Sequence, residues 1–228
     1  MLKNKSMLFL CFLPLLAGCA GYHALPLKKM NTVPLAKHKD IAFAAQAFDK
    51  DDCEIYLGRN VIDAGYTPIQ IAIENNSHKS LQFSCDQLNM PLASTNIVAE
   101  SVYQSSWARA LGYGIPGASN IGLGAFFLAL NFHHGWNAMM IYVIAPLMVG
   151  GGLALLVAGL LDASCANSAN KQLLADYLDK ALKDQIILPH TSVDGLVFVR
   201  NDQLEERLIV NLFDDATHQK IMCQKLLQ

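Results

Sequence analysis

AMMIYVIAPLMVGGGLALLVAGLL, residues 138–161, decides how the rest of the chain is read. It carries no charge, and a helix rising about 1.5 Å per residue needs roughly twenty residues to cross a hydrocarbon core about 30 Å thick. The stretch is long enough. A single crossing would place the two halves of the chain on opposite sides of a membrane, and neither half has enough strand-like segments for a comfortable sheet. A second crossing removes that difficulty. Residues 111–130 are also uncharged and end in the apolar IGLGAFFLAL, while the intervening NFHHGWN offers Phe132 and Trp136 as interfacial aromatics. Together residues 111–161 are expected to form an apolar helical hairpin that returns the chain to the side it left.

Composition supports a local rather than a general membrane character. Of 228 residues, 53% are hydrophobic and 16% charged, against roughly a quarter charged in average soluble domains. The deficit sits in one place, because from Ala110 to Leu161 there is no Asp, Glu, Lys or Arg. Two features oppose the first crossing. Gly112, Gly114, Pro116, Gly117, Ser119 and Asn120 lower its helix propensity and apolar transfer energy. The loop between the crossings also lacks Lys and Arg, whereas Arg109, Lys171 and Lys180 lie on the exported side, against the positive-inside bias. A formal net charge of −2 leaves no basic footprint for nucleic acid, so that partner is excluded.

Outward from the hairpin, both flanks read as strands. Asp40–Phe48 alternates Ile41, Phe43, Ala45 and Ala47 against Ala42, Ala44 and Gln46. In TPIQIAIE, residues 67–74, Ile69, Ile71 and Ile73 share a face while Gln70 and Glu74 take the other. The polar run Asn75–Ser80 then reads as a turn into LQFSC, residues 81–85, giving an antiparallel hairpin with one buried face. A helix is expected over residues 97–111. Beyond the apolar region Asn167 or Ser168 is placed to cap a second helix, in which Leu173, Leu174, Tyr177, Leu178, Ala181 and Leu182 recur at helical spacing. GLVFV at 195–199 and RLIVNLF at 207–213 read as a further hairpin around Asn201-Asp202, and residues 218–227 as a last strand or short helix. The fold class expected is mainly β, a sandwich with immunoglobulin-like flavour, flanked by helices. Its discontinuous exported domain, residues 40–110 plus 162–228, has the size of one ordinary domain.

The N-terminus sets the compartment. Lys3 and Lys5 precede a short apolar run, Met7–Leu16, and Leu16-Ala17-Gly18-Cys19 follows. This stretch resembles the lipobox of bacterial lipoproteins at all four positions. The resemblance covers residues 1–19 and implies a signal peptide (1–18), cleavage before Cys19, covalent lipid on Cys19 and export. One acyl chain binds membranes marginally, so several chains would supply a lasting tether. In that family an Asp after the cysteine favours inner-membrane retention. Ala20 stands there, which tilts sorting outward, whereas helical crossings suit the inner membrane better than the outer, whose spans are usually closed barrels. The membrane therefore stays open between the two. Residues 19–39, with Lys28, Lys29, Lys37 and Lys39, read as a flexible lipidated tether rather than a headgroup-recognition segment. In layout the chain also resembles uncharacterised envelope lipoproteins of Gram-negative bacteria, which implies no activity.

Four cysteines remain after export and lipidation, Cys53, Cys85, Cys165 and Cys223, and an oxidising compartment allows three pairings among them. Spacing does not choose. Within the hairpin, Gly114, Ala118 and Gly122, and Gly150, Ala154 and Ala158, fall at the four-residue spacing that lets helix backbones approach closely. No residue set points to catalysis, metal or a cofactor beyond the lipid. Residues 112–117 match GxGxxG but follow a helical stretch, contain Pro116 and lack the acidic partner. His133-His134 has no accompanying carboxylate, and His190, Ser192 and Asp194 sit in one turn rather than on distant segments. The acidic run Asp49, Asp51, Asp52, Glu54 reads as a solvated turn. The function expected is binding or scaffolding in the envelope, with membrane lipid, other envelope proteins or further copies as partners. Behind it come an oligomeric transport or channel component and, third, an envelope enzyme.

Overall fold

The computed structural model describes residues 21–105, 111–112, 115–123, 125–126 and 145–227. Residues 1–20, with the expected lipobox, and Gly114, Phe132, His133-His134 and Trp136 lie outside the described residues. The chain divides into two units, Tyr22–Tyr103 with Gln172–Gln228, and Met1–Gly21 with Gln104–Lys171.

The first of these contains eight strands in two antiparallel sheets. β1 (Val33–Pro34), β2 (Ile41–Ala47), β3 (Tyr66–Asn75) and β6 (Thr191–Arg200) form one sheet in that order. β5 (Gln185–Ile187), β4 (Leu81–Phe83), β7 (Arg207–Asp214) and β8 (Lys220–Leu226) form the other. The longest pairing joins the two flanks of the apolar region, since β3 and β6 run in register from Tyr66↔Arg200 to Asn75↔Thr191. Side chains from both sheets meet in one buried cluster, with Ile69, Ile71 and Val197 contributed by one sheet and Phe83, Val210 and Ile221 by the other.

Both hairpins expected from the sequence are replaced by crossings between sheets. β3 pairs with β2 and β6, while β4 pairs with β5 and β7. β6 does not pair with β7, whose neighbours are β4 and β8. The reason lies in burial. Leu196 and Phe198 of β6 enter a second buried cluster while Val197 and Val199 enter the first, so both faces of β6 are covered. β7, by contrast, alternates buried with half-buried positions. The Asn75–Ser80 turn carries the chain from one sheet to the other. Buried Asn75 holds it there, donating through Nδ2 to the carbonyls of Lys79 (2.7 Å), Ile187 (3.2 Å) and Leu188 (3.1 Å).

Helices cover the other face of the β6 sheet. α1 (Lys50–Leu57) replaces the expected acidic turn. Asp49 is its N-cap, accepting from the Asp52 amide at 2.8 Å, and Asp51 and Asp52 sit in the first turn where the helix dipole favours anions. Gly58 ends it with φ 63°. α2 (Thr95–Ser101) is shorter than the helix expected to reach residue 111. Ser101 turns its hydroxyl back onto the Val98 carbonyl at 2.7 Å, and the Val102 amide bonds to Ala99 across a tightened last turn. α3 (Ala145–Lys180) is one helix of 36 residues and passes through Asn167 and Ser168 instead of restarting there. No glycine or proline occurs between Leu160 and Leu188, and the polar residues present cost only tenths of a kcal/mol each in a helix. Phe48, Cys53, Leu57, Val98, Leu173 and Tyr177 pack together in the second cluster.

In the other unit, residues 115–123 are helical and meet α3 at glycine. A Cβ on Gly117 would lie 2.8 Å from the Gly152 carbonyl oxygen, and one on Gly152 would lie 2.6 Å from that of Gly117. Gly152, Gly159, Ala166 and Ala169 are the buried positions along this part of α3, spaced by seven, seven and three residues. The expected four-residue stripe falls elsewhere, since a Cβ on Gly122 or Gly150 meets nothing within 4 Å. Ala118 is exposed, and Ala154 and Ala158 are half-buried. Spacings of seven and three residues keep one seam against a neighbouring helix.

Candidate functional site

Two surfaces stand out. The first is the apolar part of α3, where the stretch Leu147–Lys180 is long and apolar enough to cross a membrane, and only 11% of its most apolar window is buried. Leu160 is 70% exposed, and Leu147, Leu153, Val157 and Leu161 are exposed beside it. A soluble core helix of this composition would bury most of that face. Lower down the helix the character changes. Asn170 clamps the backbone of Gln104, accepting from its amide at 3.0 Å and donating to its carbonyl at 2.9 Å.

The second surface is a groove of about 650 Å³ between β1 and β8, the outer strands of the two sheets. Its apolar side is built from Val33, Leu35, Phe43 and Met222. Phe43 is part of the inter-sheet core, 3% exposed, whereas Val33 and Met222 are 58% and 55% exposed. Its polar side carries Lys37, His38, Lys220 and Lys225, with no acidic residue among the lining. Lys225 also borders an adjoining polar cavity of about 500 Å³ that holds Lys28 and Lys29. None of these five lysines forms an ion pair among the described residues.

The tether makes this groove possible because residues 22–39 lie against the sheets instead of hanging free. Tyr22 donates its hydroxyl to Asp176 Oδ2 at 2.6 Å, and that carboxylate also receives Lys180 at 2.6 Å. Burial first, and the Asp176 hydrogen bond second, push the Tyr22 hydroxyl well above its ordinary value. Leu25 donates its amide to the Ile55 carbonyl at 2.9 Å, and buried Gln70 donates to the Lys28 carbonyl at 2.8 Å. This also corrects the reading of Gln70 as a solvent-facing residue of β3, since it is 2% exposed beneath the tether.

Cys53, Cys85, Cys165 and Cys223 are not paired with one another. Cys53, Cys85 and Cys223 are free thiols, and Cys165 is disulfide-bonded, though to none of these three. Cys53 belongs to the helix-side cluster while Cys85 and Cys223 pack with the inter-sheet cluster, so a whole sheet separates the first from the others. Burial pushes Cys53 and Cys223 up to about 12 and Cys85 up to about 11. His190 adopts φ 58° and brings Nε2 to 3.3 Å from Nδ1 of His78, away from Ser192 and Asp194, which lie exposed on β6. Among the described residues no three His, Cys, Asp or Glu side chains are grouped to hold a metal.

The groove lysines escaped sequence reading for a definable reason. Lys37 and His38 fall in a stretch whose composition reads as a spacer, and Lys220 and Lys225 lie near the other end of the chain. The available signal was KIMCQKL, residues 220–226, in which lysines fall on the exposed positions of an alternating strand. No protein-family model, curated protein or solved structure matches this chain.

Proposed function

We propose that the protein is a lipid-anchored component of a bacterial cell envelope that binds or scaffolds partners through a β-sandwich with immunoglobulin-like flavour, while residues 111–161 lodge as an apolar hairpin in the membrane. Cys19 carries the lipid in this reading. The observation that carries it is the β3–β6 pairing across the apolar region. Because both flanks complete one sheet, any excursion between them crosses a bilayer twice or not at all, and the exposed apolar face of α3 favours twice.

The test is side-specific labelling of intact cells with a membrane-impermeant thiol reagent under reducing conditions, using Ser80→Cys, Gln203→Cys and Asn137→Cys singly. Ser80→Cys and Gln203→Cys should label alike and Asn137→Cys should differ. Opposite responses at 80 and 203 would overturn the topology. Palmitate incorporation that survives Cys19→Ala would overturn the anchor.

A second reading, an oligomeric transport or channel component, is favoured by the open space around Gly122 and Gly150, which leaves room for a helix from another copy. Leucine at both positions should then abolish self-association in detergent. An unchanged oligomer would count against it.

A further inference from the structure

We infer that the groove between β1 and β8 binds an anionic phospholipid, its acidic headgroup among Lys37, Lys220 and Lys225 and an acyl chain along Val33, Leu35 and Met222. The inference does not depend on whether residues 111–161 cross a bilayer.

Three observations combine. The cavity, about 650 Å³, falls in the range of small-ligand sites, roughly 300–1,000 Å³. Its lining is divided by chemistry, with one apolar bed and several cations but no carboxylate. Lysines on an outer strand commonly serve only to discourage edge pairing, and then they need no apolar companion. Here Val33 and Met222 leave more than half their surface in water directly beside the cations, an arrangement that gains from one amphiphile covering both. Among the described residues the lysines carry no counter-ion, so an arriving acidic group displaces no ion pair there. Each lysine adds attraction for an anionic headgroup, as basic residues do at an anionic lipid surface.

A peptide strand is the competing occupant, because β8 is the last strand of its sheet. The opposite wall is unsuited to it. β1 is two residues long and one of them is Pro34, which has no amide to donate. Strand addition would therefore use β8 alone and leave the Val33–Leu35 wall uncovered.

The experiment uses the full chain in neutral detergent, mixed with trace labelled phosphatidylglycerol or phosphatidylcholine of the same chains, and counts the lipid that co-purifies. Phosphatidylglycerol should be retained in preference to phosphatidylcholine. The Lys220→Glu/Lys225→Glu double variant should lower that retention at least about tenfold, given the per-lysine attraction above. Lys183→Glu, a charge reversal on an exposed lysine that does not line the groove, should leave retention unchanged. Met222→Lys keeps the positive charge and removes part of the apolar bed, so it should also release lipid. Thermal melting of each variant guards against loss of fold. Retention that survives the double variant overturns the site, as does equal loss with Lys183→Glu. Displacement by glycerol phosphate alone, or indifference to Met222→Lys, would reduce the groove to a simple anion patch. Displacement by an acidic decapeptide at the lipid's own concentration would assign it to a strand partner.

Discussion

Gly152→Ala is the sharpest probe of how the apolar segment packs. A Cβ added there would stand 2.6 Å from the Gly117 carbonyl oxygen and 2.9 Å from the Ile121 amide nitrogen, where ordinary contact begins at 3.4 Å. The two backbones must therefore part by about 0.8 Å along the closest line, the difference between 3.4 and 2.6 Å. Backbone cannot swing aside as a side chain does, so the expected cost is that of overpacking, about 1–3 kcal/mol. Gly150→Ala meets nothing within 4 Å, and should instead gain up to about 1 kcal/mol of helix propensity. Two glycines on one helix, two residues apart, are thus expected to respond with opposite sign. Thermal unfolding in mild detergent, followed by far-ultraviolet circular dichroism, reads the comparison. If Gly152→Ala is neutral or stabilising to the same extent as Gly150→Ala, the close approach at Gly117 is wrong. A result in which Gly150→Ala is the damaging change would restore the four-residue stripe.

Gly58→Ala should destabilise the sheet-bearing unit by about 1–3 kcal/mol in denaturant titration, because φ 63° strains any other residue and the new Cβ would lie 2.5 Å from the His23 carbonyl oxygen. Gly65→Ala, with φ 95° but open space around it, should lose only the backbone contribution, so equal losses would mean that the tether does not pack there. Asp214 lies well below the usual carboxylate range, chiefly because Lys79 hydrogen-bonds it and further because the Ala216 and Thr217 amides do. A carboxylate depressed in the folded state adds stability that is complete above its ordinary value of 3.8 and is lost as the pH falls below it. Melting curves of Asp214→Asn should accordingly sit below wild type at pH 7 and converge with it on acidification. Parallel curves down to pH 2 would refute the assignment.

The strands of this chain announce themselves by alternation, and their partners do not. Ile41, Phe43 and Ala45, Ile69, Ile71 and Ile73, and Leu208, Val210 and Leu212 all point inward as a period of two requires. Period fixes which face is buried, whereas neighbour choice depends on what covers the opposite face. For β6 that cover is Leu173 and Tyr177 of α3, and for β3 it is the tether over Gln70, neither of which is local in sequence. α1 was legible after all. Asp49 followed by Asp52, with Gly58 closing the segment, is a capping pattern, but the apolar face is only Cys53, Tyr56 and Leu57, too short to outweigh the charges around it. The groove was not legible, because its two walls, residues 33–43 and 220–225, come from opposite ends of the chain and no local spacing reports such a meeting.

The register of Tyr66 with Arg200 has a consequence for how the protein is made. A ribosome delivers β1, β2 and β3 long before β6, and between them it must first dispose of the greasiest part of the molecule. Until residue 200 emerges, β3 keeps a row of bare amides and carbonyls beside Ile69, Ile71 and Ile73, the kind of edge that recruits the wrong strand. Synthesis therefore holds a half-built sheet while the stretch between β3 and β6 is made, and whatever slows the handling of that stretch also lengthens the time in which a nascent chain is open to aggregation or capture by a chaperone.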